Sequence, residues 1–206
     1  MTDTIRILIA DDQDLVRGAL AALLSMEPDL EVVAQAGRGD EVLALVREFD
    51  VDVALLDIEM PGANGIDVAE ALRDAGIPTR ALIVTTFGRP GYLRRAMAAG
   101  AAGFVVKDTP AEQLADAVRA VFRGERVVDP ALAAETLDFG VNPLTGREMD
   151  VLNAARDGSS VREIAKKLML SGGTVRNHLS SAMGKTGAAN RAEAVHIALE
   201  RGWLLE

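Results

Sequence analysis

Cysteine is absent from the 206-residue chain, which excludes a disulfide framework, a Cys zinc site and thiol chemistry. Histidine occurs only as His178 and His196, so a His-rich metal site is excluded too. Aromatic residues make up 3% of the chain, too few for base-stacking platforms that hold single strands. No charge-free apolar run reaches the ~20 residues that span a bilayer. The N-terminal "MTDTIR" has no apolar signal core. The expectation is a cytoplasmic protein with no membrane partner.

Apolar residues are plentiful, at 49%, enough to bury real cores, and the length allows one large domain or two small ones. Net charge is −9, unevenly spread: −8 over residues 1–124, −3 over 125–142 and +2 over 143–206. Between Ser160 and Arg191 the only acidic residue is Glu163, against 6 basic ones. An acidic front and a locally basic back predict two domains with different partners.

The first 124 residues alternate two patterns. "IRILIA" (5–10), "LEVVAQA" (30–36), "VDVALLD" (51–57), "TRALIVTT" (79–86) and "GFVVKD" (103–108) are short and near-continuously apolar, as strands buried on both faces must be. Between them lie helical stretches. "LVRGALAALLSM" places Val16, Leu20, Leu23 and Leu24 on one face, and "GDEVLALVREF" does so with Val42, Leu45, Val46 and Phe49. Five such alternations predict an α/β fold, a doubly wound five-stranded parallel sheet. Residues 125–142 read as an acidic linker with one short helix, broken by Pro130 and Gly140. From residue 143 four short helices predict a second, small all-α domain. There Thr145 and Glu148 are spaced for a capping box.

Ligands in parallel sheets bind at the carboxyl ends of the strands. Asp11 and Asp12 fall after the first strand, Asp57 after the third, Thr85 at the end of the fourth and Lys107 at the end of the fifth. A lone Asp at a strand end is usually a helix cap; five polar residues at four strand ends suggest a site. Three carboxylates suit Mg²⁺, a hard cation that takes oxygen ligands. With a lysine and a hydroxyl beside them they describe a phosphoryl-binding site, in which an Asp can itself be the acceptor.

"ADD", "LLDIEMPGANG", "VTT" and "GFVVKD" resemble the bacterial response-regulator receiver domain, over residues 5–124. The resemblance implies a flavodoxin-like fold and a partner histidine kinase that phosphorylates Asp57. It implies that Asp11, Asp12, Asp57 and the backbone carbonyl of Glu59 hold Mg²⁺. Thr85 becomes the switch hydroxyl, Lys107 the phosphate's ion-pair partner, and Phe104 the aromatic that reorients with the switch.

"VREIAKKLMLSGGTVRNHLSSAMGK" reads as helix, turn, helix, with Ser171 capping the second helix. Val175, Leu179, Ala182 and Met183 form an apolar stripe on that helix. Thr174, Arg176, Asn177, Ser180 and Ser181 lie elsewhere, as a major-groove reader requires. Lys166, Lys167 and Lys185 are candidate phosphate contacts. Residues 143–206 resemble the output domain of the NarL/FixJ, or LuxR-type, response regulators, through "LT-RE--VL", "EIA--L-LS--TV--H" and "NR-EA". That resemblance makes Arg176, Asn177 and Ser180 the foremost base contacts.

Ser180 departs from the longer side chain common at its position, and Thr186 from a common Leu. Gly172, Gly173 and Gly184 weaken the helix. These departures predict modest affinity per monomer.

Together these features predict a non-enzymatic regulator of transcription. Its domains are 1–124 (receiver), 125–142 (linker) and 143–206 (helix-turn-helix). Phosphorylation by the kinase makes it a homodimer that binds double-stranded operator DNA, with RNA polymerase a candidate further partner. Two alternatives stand beside this reading. One is a phosphorylation-independent regulator whose receiver serves dimerisation. The other is a Mg²⁺-dependent phosphatase, because "DQDLV" (12–16) loosely fits the start of haloacid-dehalogenase-like enzymes.

Overall fold

The computed structural model describes residues 4–86, 88, 90–130, 132–133 and 142–204, which fall into two compact units. In the first, strands β1 (Ile5–Ala10), β2 (Leu30–Ala36), β3 (Val53–Leu56), β4 (Arg80–Thr85), β5 (Gly103–Val106) and β6 (Val127–Val128) form one sheet. The order is β2-β1-β3-β4-β5-β6 and every adjacent pair is parallel. Helices α1 (Asp14–Leu24), α2 (Val42–Glu48), α3 (Gly65–Asp74), α4 (Pro90–Ala99) and α5 (Ala111–Phe122) make the crossovers, with a 3₁₀ turn at Gly39–Glu41 before α2.

The apolar runs in β1, β3 and β4 are explained by where those strands sit. Ile7, Leu8 and Ile9, Leu55 and Leu56, and Leu82 and Ile83 are all buried, on both sheet faces. Among the described residues β2 pairs with β1 alone, and it carries the exposed Glu31, as an edge strand can.

Among the described residues the sheet has six strands, the five expected and one short addition. Val127 and Val128, expected in the linker, pair with Gly103 and Phe104 of β5. α5 stops at Gly124 with φ +89°, a left-handed backbone that turns the chain back, and two β-branched residues then meet the open edge of β5. The expected linker helix lies largely on residues outside those described.

The predicted face of α1 is also rotated. Leu24 is buried and Leu20 and Ala21 pack on the core, but Leu23 is exposed. Adjacent residues on a helix point about 100° apart, so Leu23 and Leu24 cannot share one narrow contact.

The second unit contains α6 (Gly146–Ala155), α7 (Val161–Leu168), α8 (Gly172–Thr186) and α9 (Arg191–Glu200), the four helices expected. Thr145 and Ser160 form capping boxes with Glu148 and Glu163. Ser171 and Asn190 cap α8 and α9 through their side chains. Val151, Leu152, Ile164, Val175, Leu179, Ala182, Ala194 and Trp203 make the core.

Candidate functional site

The strand order reverses between β1 and β3, and the crevice at their carboxyl ends is where such sheets bind ligands. The backbone sets the acidic residues there directly. The Asp11 amide donates to the Ala36 carbonyl at 3.1 Å, and the Asp57 amide donates to the Ala10 carbonyl at 2.9 Å. The Ile58 amide donates to Asp57 Oδ1 at 2.8 Å. Gly65 opens α3 directly behind this residue: a Cβ there would lie 2.1 Å from the Asp57 carbonyl oxygen. Only glycine permits so close an approach.

Lys107 Nζ lies 2.8 Å from Asp11 Oδ2 and 3.0 Å from Asp57 Oδ2, bridging the two buried carboxylates. The Lys107 amide donates to the Thr85 carbonyl at 2.8 Å, which ties the ends of β4 and β5 together. Thr85 is buried, and Phe104, three residues before Lys107, is wholly buried in β5 opposite Ile83. Asp12 is exposed, yet one carboxylate oxygen from each of Asp11, Asp12 and Asp57 lies within 4.8 Å of the others. The structure therefore brings Asp11, Asp12, Asp57, Thr85 and Lys107 to one edge. Glu59 follows on the loop after Asp57.

Burial pushes the Asp57 carboxyl above its ordinary value, against the pull of Lys107. Burial also works to lower the Lys107 ammonium, but Asp11 and Asp57 outweigh it and hold the lysine charged. Three carboxylates facing one lysine leave an excess of negative charge. Their close oxygens are hard donors, which fits a small divalent cation.

Arg17 was not anticipated here. Its Nη1 donates to the Asp11 carbonyl at 2.5 Å and its Nη2 pairs with Asp14. Its position one turn into α1 was the available signal.

In the second unit, Arg176, Asn177 and Ser180 are exposed on α8 and Thr174 is half-buried, while Val175, Leu179 and Ala182 face the core. Lys166 and Lys167 are exposed in the last turn of α7. Lys185, the third candidate phosphate contact, is paired within the unit. Its Nζ lies 2.7 Å from Oε2 of the buried Glu148 on α6. Ser181 donates to Glu148 Oε1 at 2.6 Å. Burial raises the Glu148 carboxyl, but its bonds to Lys185, Ser181 and Thr145 bring it down to about 2. Glu148 was expected only as a cap. Its partners Ser181 and Lys185 are more than thirty residues away, and no local pattern announces them.

An acid-edged parallel sheet joined to a helix-turn-helix unit defines the class, a receiver with a helical output domain. The family model described as "Response regulator receiver domain" matches residues 7–119, and that described as "Bacterial regulatory proteins, luxR family" matches residues 142–198. The transcriptional regulatory protein DesR of Bacillus subtilis is 44% identical over 199 residues, covering 97% of this chain and 98% of that one. The response regulator RamR of Streptomyces coelicolor is 39% identical, covering 98% of this chain and 100% of that one. Among solved structures, the response regulator ChrA of a heme-sensing two-component system is similar with a TM-score of 0.59 at 35% identity. That alignment covers 96% of this chain and 98% of the other. The chain belongs to the two-component response regulators with a LuxR-type DNA-binding domain. No helix among the described residues is long and apolar enough to cross a membrane.

Proposed function

We propose that the protein is a phosphorylation-controlled, non-enzymatic regulator of transcription, acting in the cytoplasm. In this reading Asp57 accepts a phosphoryl group from a partner histidine kinase and the protein then binds operator DNA as a dimer. The observation that carries it is Lys107 Nζ within 3.0 Å of both Asp11 and Asp57, at the strand edge where family and fold agree. Residues 1–124, extended by β6 at Val127–Val128, form the receiver, the rest of 125–142 the connection and 143–206 the DNA-binding domain.

The chemistry follows from the charges. A carboxylate oxygen of Asp57 attacks phosphorus, the bond from phosphorus to the donor's histidine nitrogen breaks, and an aspartyl phosphate remains. Lys107 is placed to hold a phosphoryl oxygen, and Thr85, at the end of the neighbouring strand β4, supplies the switch hydroxyl. Asp11, Asp12, Asp57 and the Glu59 carbonyl would hold Mg²⁺, which when bound shields negative charge that otherwise repels the incoming phosphate. Phe104, buried beside this edge, is the side chain whose packing such a switch alters.

Arg176, Asn177, Ser180 and Thr174 are the base-reading set and Lys166 and Lys167 the phosphate-holding set. RNA polymerase is a candidate further partner of the DNA-bound state. Dimerisation on phosphorylation would use the first and last receiver helices. Leu15 and Leu23 on α1 and Met26 just beyond it are 86%, 44% and 79% exposed, so apolar side chains are available on that helix for a partner copy.

Acetyl phosphate with Mg²⁺ tests the acceptor. The intact full-length protein should gain the mass of one phosphoryl group, and Asp57→Asn should gain none. Undiminished labelling of Asp57→Asn would overturn the assignment.

A further inference from the structure

The recognition helix α8 is a poor helix by composition. It opens on Gly172 and Gly173 and carries Gly184 inside, and a Cβ at Gly184 would meet nothing within 4 Å. Its core-facing stripe is Val175, Leu179 and Ala182, with the hydroxyl-bearing Thr186 at the end. Val175, Leu179, Ala182 and the partly buried Met183 pack against the core, and apolar contacts of this kind resist rotation about the axis without fixing one angle.

A buried carboxylate supplies a stronger key. Glu148 Oε1 accepts from Ser181 at 2.6 Å, and Oε2 accepts from Lys185 at 2.7 Å and from the Thr145 amide at 2.7 Å. Ser181 and Lys185 are four apart and continue the row that starts at Asn177, because residues at i, i+4 and i+8 lie along one edge of a helix. Pinning that row to α6 fixes which way Asn177 and its neighbour Arg176 point. Charge-assisted bonds are short and strong, and two of them one helical turn apart on the same carboxylate resist rotation in a way apolar packing does not.

Resting on the DNA-reading role proposed above, we propose that Glu148 is the positioning residue of the recognition helix. Its carboxylate holds the helix's rotation so that Arg176 and Asn177 meet base edges. It also withdraws Lys185 from the set that holds phosphates.

The test uses the full-length protein, a duplex that the wild type enriches from random sequence, and an unselected duplex of equal length. Glu148→Gln keeps a residue competent for the capping box and for Ser181 but loses the charge that holds Lys185. Its preference for the enriched duplex over the unselected one should fall by about tenfold, and freed Lys185 should steepen the salt dependence by about one unit of log–log slope. Lys185→Met should lose preference likewise with the slope unchanged. A slope that flattens by about one in Lys185→Met would show that Lys185 holds a phosphate and would overturn the proposal. So would wild-type preference in both variants, even with a lowered Tm, which would leave Glu148 a purely structural group. If Glu148→Gln does not fold, Lys185→Met decides alone. If the wild type enriches no duplex, the DNA-reading role itself fails, and this inference with it.

Discussion

A methyl group at Gly65 would collide with the Asp57 carbonyl oxygen at 2.1 Å, while one at Gly184 in α8 meets open space. The two glycines serve opposite ends. At the sheet edge, backbone bonds from Asp11 and Asp57, the tight start of α3 and the Lys107 bridge each fix the same few atoms. In the recognition helix, one carboxylate from α6 carries much of that burden. The acidic site is held by the sheet's own backbone, whereas the reading surface is held by side chains.

The first way to test this contrast is to remove the central cation of the sheet edge. Lys107→Met leaves two buried carboxylates without a balancing cation, and breaking such a pair should cost about 3–5 kcal/mol. Asp57 already sits above its ordinary 3.8. The fold gains from that carboxyl only below its ordinary value and loses the gain as the pH rises through the raised one. The deficit of the variant should therefore shrink on acidification and on adding Mg²⁺, both read by calorimetry. A deficit indifferent to both would break the account of the edge as a charge-balanced site.

Acid should act on the second unit with the other sign. Glu148 is held at about 2 against an ordinary 4.5, so its stabilisation is complete above 4.5 and is lost as the pH falls through about 2. The loss amounts to at most about 3 kcal/mol. Circular dichroism melts of the helical unit between those values should show it in the wild type, and Glu148→Gln should flatten the pH dependence.

The glycines complete the contrast. Gly65→Ala should cost about 1–3 kcal/mol by overpacking and should slow labelling of Asp57 by acetyl phosphate. Gly184→Ala should do the reverse, raising the stability of the helical unit by about 1 kcal/mol because alanine is the better helix former. A Gly184→Ala protein that melts lower would mean that α8 needs its glycine for shape.

The sequence was most legible where local pattern and global position agree. β1 reads 5–10 and β2 reads 30–36 in both sequence and structure, because apolar runs and the turns around them are local properties. The convergence of Asp11, Asp57 and Lys107 was legible too, since strand ends in a parallel sheet share one edge. β6 escaped notice because two valines make a strand only when an open neighbour is present. The face of α1 was misread because Leu23 is as apolar as Leu24 and periodicity cannot rank them. The pairing of Lys185 was not legible, because a basic residue on a helix gives no sign of a partner 37 positions earlier.

The two-residue strand β6 also closes an edge. The Val127 amide donates to the Ala102 carbonyl at 3.1 Å, where Val127 and Val128 pair with Gly103 and Phe104. Without it β5 would end this side of the sheet, and its unpaired backbone groups would offer a template to a strand of another chain. A strand of two residues is too short to pass that role on. Substituting Val127 with proline, which cannot donate to the ladder, should uncover the edge, and light scattering of the concentrated protein would register the self-association that follows.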